Sequence, residues 1–288
     1  MVYKKSFLSK IEEYILNATK PEYMTSKEKA KSYLIEQSKK DLSYSKFIFK
    51  SFVFEGMEVS VFGDKNKSDR IILFVHGGAY VHNLNFQHQL YCSYLSRKLN
   101  AYVVAPAYSL APNNSCEDAF NSIINFYEEL LKINKDIVVM GDSAGGGFAL
   151  SLCQYLNKAD LPHPRNLIVF SPWVDISMSG NYENEGTDPI LGVDSLKEFG
   201  KSWCGNLSTD DYRVSPLFGD NSNMPRTLIF VGDNEIFYSD VKKYYDALKM
   251  NDVDAKLIVG HGMFHIYPMF PIPEAKKAFE EIKKEIIG

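Results

Sequence analysis

The sequence predicts an α/β protein, with a mostly parallel sheet covered by helices on both faces. Two observations carry that expectation. Short runs that are apolar along most of their length, such as Ile71 to Val75, recur from residue 71 onward, and stretches with helical spacing separate several of them. A strand buried on both faces reads as such a run, and strand alternating with helix implies a parallel sheet.

The elements come in order. Phe7, Leu8, Ile11, Tyr14 and Ile15 fall on one helical stripe, and Thr25 with Glu28 suggests a capping box for a second helix. The lysines of these helices are read as a solvated face on helices that cover the domain. The pattern changes from Ser45. Phe47 to Phe54 and Met57 to Phe62 are expected to pair antiparallel. Strands are then expected at Ile71 to Val75, Tyr102 to Ala105, Ile137 to Met140, Leu167 to Phe170, Leu228 to Val231 and Lys256 to Val259. Helices are expected at Glu117 to Leu131, Ala144 to Leu156, Ser239 to Met250 and Pro273 to Ile287, where Pro273 suits a first turn. Residues 177–215 hold no convincing strand, so they read as an insertion. The expectation is one domain over 1–288, with 1–40 and 177–215 as cap elements above the carboxyl edge of the sheet.

Bulk properties narrow the function. The 288 residues are 45% hydrophobic and 24% charged, as in an ordinary folded chain. A net charge of −4 offers no general attraction for nucleic acid or anionic membrane. Cys92, Cys116, Cys153 and Cys204 lack metal-ligand spacing and read as reduced thiols. Lys4 and Lys5 resemble a basic leader, but Lys10, Glu12 and Glu13 break the next stretch before any apolar core forms. No apolar run is long enough to span a bilayer. A cytoplasmic protein without metal or organic cofactor is expected.

Gly141-Asp142-Ser143-Ala144-Gly145 fits G-x-S-x-G, directly after a strand and before a helix. That context puts Ser143 on a sharp elbow with its hydroxyl displayed. His76-Gly77-Gly78-Ala79-Tyr80 also ends an apolar strand. Its glycines let backbone N–H groups approach an oxyanion, so Gly77 and Gly78, with Ala144 from the elbow, are the expected donors. His76 reads as a brace for that loop.

Together these segments resemble the hormone-sensitive-lipase-like branch of the α/β-hydrolases, with its H-G-G-G loop and G-D-S-A-G-G elbow. Tyr108 to Pro112 and Ser171 to Asp175 are similar to the same family. Ala79 departs from it where a glycine is common, as do Ala107 and Ser109 in the Tyr108 segment. The resemblance implies an α/β-hydrolase fold and hydrolysis of short-chain carboxylic esters, and leaves open a homodimer.

Serine needs a base to become a nucleophile. In this fold the chain order is serine, acid, histidine. Of the six histidines, His163, His261 and His265 follow Ser143. His163 precedes any candidate acid. His261 sits close to the strand end, whereas His265 has the loop length to fold back, so His265 is favoured. Glu235, with Asp240 shortly after it, matches the family's acid segment and is favoured over Asp233. Tyr80, Tyr108, Trp173 and Phe264 are candidates for the substrate pocket, with Trp203 and Tyr267 nearby. The rivals are an amidase, carbamate hydrolase or acyltransferase on the same triad, and a non-catalytic receptor of the same fold.

Overall fold

The computed structural model describes residues 5–40, 50–68 and 70–287. The N-terminal stripe forms α1 (Phe7–Ala18), capped by Ser6. A 3-10 turn (Glu22–Met24) leads into α2 (Lys27–Gln37), whose cap is Ser26, accepting from Lys29 N. The expected Thr25–Glu28 box does not form. Thr25 closes the preceding turn and donates its hydroxyl to Glu22 O at 2.7 Å.

The sheet then builds through β1 (Ser51–Phe54), β2 (Met57–Phe62), β3 (Arg70–Val75), α3 (Phe86–Leu99), β4 (Ala101–Pro106), α4 (Cys116–Ile133), β5 (Ile137–Asp142) and α5 (Ser143–Lys158). After β6 (Asn166–Phe170) come α6 (Val193–Cys204), β7 (Arg226–Gly232), α7 (Tyr238–Met250), β8 (Ala255–Gly260) and α8 (Pro273–Ile287). The part of the expected first strand before residue 50 lies outside the described residues. Helix α3 is an element that the sequence pattern does not announce.

Among the described residues, eight strands lie in the order β1-β2-β4-β3-β5-β6-β7-β8. The β1–β2 and β2–β4 pairs are antiparallel, and every other pair is parallel. Side chains alternate between faces with a period of two. Ile71, Leu73, Val75, Val139 and Val169 therefore enter one core, beneath α4, α5 and α7. Ile72, Phe74, Met140 and Phe170 enter the other, beneath α3 and α8. Each fully buried Leu, Ile, Val or Phe stabilises the fold by about 1.5–3 kcal/mol.

The segments flanking the sheet meet each other. Helix α2 packs on α6, with Lys27 3.5 Å from Glu198 and Ser195 Oγ donating to Ser26 O. Lys20 Nζ donates to the carbonyls of Asp188 and Leu191. Among the described residues, 177–215 holds α6 and no strand.

Helix α1 sits unusually. Its apolar stripe faces outward, with Phe7 75% and Tyr14 76% exposed. The polar side faces the body: Ser6 N, Ser6 Oγ and Ser9 Oγ all donate to the Glu274 carboxylate. Those bonds hold the Glu274 carboxyl below its ordinary range although burial opposes ionisation. All four cysteines are free and buried. Among the described residues, no helix is long and apolar enough to cross a membrane, and no group of three or more side chains is arranged to hold a metal.

Candidate active site

Strand β5 runs straight into α5, and the turn between them forces Ser143 to φ +53°. A non-glycine residue in the left-handed region is strained, and such strain gathers at functional sites. The elbow closes this tightly because Gly145 has no side chain; a Cβ there would collide with the carbonyls of Val75 and His76. Trp173 N donates to Ser143 O at 2.9 Å and fixes the elbow from the end of β6.

Ser143 Oγ lies 2.9 Å from His265 Nε2, and His265 Nδ1 lies 3.1 Å from Glu235 Oε1. Three elements thus converge: the elbow, the loop after β7 and the loop after β8. All three side chains are buried, Glu235 completely. Glu235 Oε2 accepts from Ser171 Oγ at 2.7 Å and Gly232 N at 3.0 Å. The same Ser171 hydroxyl accepts from Ile266 N, so one side chain ties the carboxylate to the peptide after the imidazole. Phe237 meets the His265 ring edge-on at 5.3 Å.

Burial disfavours a charged imidazole, but the carboxylates of Glu235, Asp188 and Asp142 outweigh it and raise His265 above the ordinary histidine value. The alternative acid and the alternative histidine pair with each other instead. His261 Nδ1 lies 2.9 Å from Asp233 Oδ2, and Gly262 N donates to Asp233 Oδ1. His261 is exposed.

The loop after β3 needs one correction. Gly77 N–H is already engaged, donating to Asp142 Oδ1 at 2.9 Å. Its donor is taken because the buried Asp142 carboxylate must be satisfied. The next two residues stand at positive φ, +120° for Gly78 and +53° for Ala79. Among the described residues, neither donates its N–H to a protein acceptor.

Asp142 lies inside the elbow motif, yet nothing in the motif's letters marks it as functional. It also faces His88 Nε2 at 3.4 Å, while His88 Nδ1 accepts from Asn85 N. Burial would raise the Asp142 carboxyl, but His88 and the Gly77 N–H hold it below the usual carboxylate range. His76 braces the loop as expected. Its Nδ1 bonds Gly77 O, its ring stacks on Tyr108 at 4.4 Å, and Tyr108 Oη donates to His76 O. Burial pushes its imidazole down to about 3, so it is neutral. Beyond the loop, His82 Nε2 meets the hydroxyls of Tyr23 and Tyr33, joining the N-terminal segment to this edge of the site.

The four pocket candidates part company. Tyr80 stacks on Trp203 at 4.3 Å and on Trp173 at 5.7 Å, and Trp173 stacks on Phe237. Tyr108 closes the same wall against Phe148. Phe264 does not join them. It packs against Phe270 in the core on the opposite face of the sheet, because its loop turns inward there before His265.

A family model described as the alpha/beta hydrolase fold matches residues 72–269. An esterase of Acinetobacter venetianus is 31% identical over 221 residues, covering 74% of this chain and 73% of that protein. An acetyl-hydrolase of Streptomyces hygroscopicus is 26% identical over 218 residues, covering 73% of each. A crystal structure of an esterase from the bacterial hormone-sensitive lipase family superposes with a TM-score of 0.83 at 23% identity, covering 99% of this chain and 98% of that one. At that identity the superposition speaks for the fold alone. The family match over most of the chain and the 31% identical relative go further: this chain belongs to the α/β-hydrolase family, carrying the loop and elbow motifs of its hormone-sensitive-lipase-like branch.

Proposed function

We propose that this protein is a serine carboxylic-ester hydrolase that works through an acyl-enzyme on Ser143. The carrying observation is the buried Ser143–His265–Glu235 relay, with contacts of 2.9 and 3.1 Å. His265 Nε2 takes the hydroxyl proton as Ser143 Oγ bonds to the ester carbonyl carbon. Glu235 holds the imidazole in the tautomer that accepts at Nε2 and stabilises the imidazolium that forms. The oxyanion is received by the N–H groups of Gly78, Ala79 and Ala144, with Gly77 removed from that set because it serves Asp142. His265 then gives its proton to the departing alcohol. Water, deprotonated by the same imidazole, releases the acid and restores Ser143.

The substrates proposed are small or short-chain esters. The stacked wall of Tyr80, Trp173 and Trp203 beside the elbow supports a small acyl site. Residues 1–40 and 177–215 serve as the cap, a role supported by the packing of α2 on α6. Four free thiols suit a reducing, cytoplasmic setting. The test is turnover of an activated acetyl or butyryl ester, together with labelling by a fluorophosphonate probe. Ser143→Ala abolishes both. Labelling elsewhere in the chain, or turnover that survives the substitution, refutes the assignment.

A further inference from the structure

The proposed relay uses one acid, yet two further buried carboxylates, Asp142 and Asp188, act on its imidazole, and Asp188 comes from outside the sheet and its following loops. Asp188 belongs to the insertion before α6 and is 3% exposed. Its Oδ1 accepts from Ile190 N and Leu191 N, both at 2.8 Å. Its Oδ2 accepts from Ile236 N at 2.9 Å. Ile236 directly follows Glu235, so this bond fixes the peptide that carries the relay's acid. Two more bonds from the same segment hold the loop: Asn184 Nδ2 donates to Asp233 O at 2.9 Å and Glu235 O at 3.2 Å. The insertion therefore grips residues 233–236 from above.

Asp188 also differs from Asn184 in being ionisable. No cation contacts its carboxylate among the described residues; three backbone N–H groups do. Burial raises its carboxyl above the ordinary range, while His265 and those N–H groups favour the ionised form. The groups facing His265 are Glu235 from the loop after β7, Asp142 from β5 and Asp188 from the insertion. Lys20, from the segment after α1, reaches only the Asp188 carbonyl, and Glu185 stands near that lysine. The charge of an ionised Asp188 acts on both His265 and Lys20, favouring the protonated form of each.

We propose that Asp188 is a positioning residue for this reaction, pinning the peptide after Glu235 while its carboxylate joins those of Glu235 and Asp142 in favouring the imidazolium. The proposal rests on Ser143 being the nucleophile. It deepens that reading by making the insertion part of the catalytic electrostatics rather than a cover alone.

The test compares pH profiles of kcat/KM on an activated acetyl ester. In the unaltered protein the acid limb lies above the ordinary histidine value of about 6.5. Asp188→Asn lowers kcat about ten- to a hundredfold through misplacement of the relay. It also moves the acid limb downward, because the imidazolium loses a stabilising charge. Asn184→Ala loosens the same grip without removing charge, so its kcat falls while its limb stays. Asp188→Ser, which keeps one accepting oxygen for the turn at Ile190, replaces the asparagine variant should that one not fold. A limb that stays in place in the neutral variants overturns the proposal, as does an unaltered protein whose limb sits at or below about 6.5. An unaltered protein with no ester turnover would instead remove the Ser143 reading, a separate outcome.

Discussion

Two carboxylate–imidazole pairs stand on the same two loops of this protein, and they are nearly alike at first contact. Glu235 meets His265 Nδ1 at 3.1 Å, and Asp233 meets His261 Nδ1 at 2.9 Å. The exposed pair is the shorter of the two. What separates them is everything else. The inner pair is buried, its acid is held by Ser171 and Gly232, and its far nitrogen faces a strained serine. The outer pair lies in water, where such contacts contribute about 0–1 kcal/mol. Pairing distance alone does not make a site; a nucleophile and exclusion of water do.

The sharpest way to break this contrast is to remove each histidine. His265→Ala lowers kcat by about four orders of magnitude or more, since the proposed nucleophile Ser143 loses its proposed base. His261→Ala leaves ester turnover essentially intact. Equal losses would erase the distinction.

The acids come next, with a somewhat smaller effect. Glu235→Gln keeps the shape but turns a donor toward His265, which costs about 10³–10⁴ in kcat. Asp233→Asn leaves kcat close to that of the parent and lowers stability by about 0–1 kcal/mol. A chemical-denaturation series read beside steady-state kinetics separates the two.

The smallest effect extends the comparison to imidazoles buried without a carboxylate bond. Burial drives His76 down to about 3 and His82 down to about 4. Both are neutral in the fold and gain a proton on unfolding below the ordinary value of about 6.5. Their contribution to stability is therefore present above that value and fades as pH falls through the folded ones. His265 runs the other way: its raised value favours the protonated fold, a contribution lost as pH rises. His163 is shifted down by burial too, so three groups against one predict a melting temperature that falls from about pH 6.5 toward 4. His82→Phe makes the fall shallower. An unchanged slope would mean that other groups set the acid limit.

The legible part of this fold is the part written locally. The strands from β3 to β8 announce themselves as apolar runs, and Ser143 is fixed by glycines within two residues of it. Helix α3 stays hidden because its pattern is inverted in places. Phe86 and Leu90 are exposed, while His88 and Gln89 are buried. Gly77 looks like a donor because the motif does not say where its N–H points. Only the fold shows that Asp142, 65 positions later, claims it. Asp188 is unreadable for the same reason: Ile236, its partner, lies 48 residues away. The choice of Glu235 over Asp233 rests on the resemblance to a family, and the two acids do occupy different places.

An N-terminal helix commonly shields greasy surface, so that cutting it away leaves a sticky scar. Here the mooring is reversed, with serines and a carboxylate on the inside and Phe7 and Tyr14 on the outside. Trimming the chain just ahead of residue 20 would remove the outward Phe7 and Tyr14 and unveil the Glu274 anion, at the cost of baring the apolar surface that Leu16 covers.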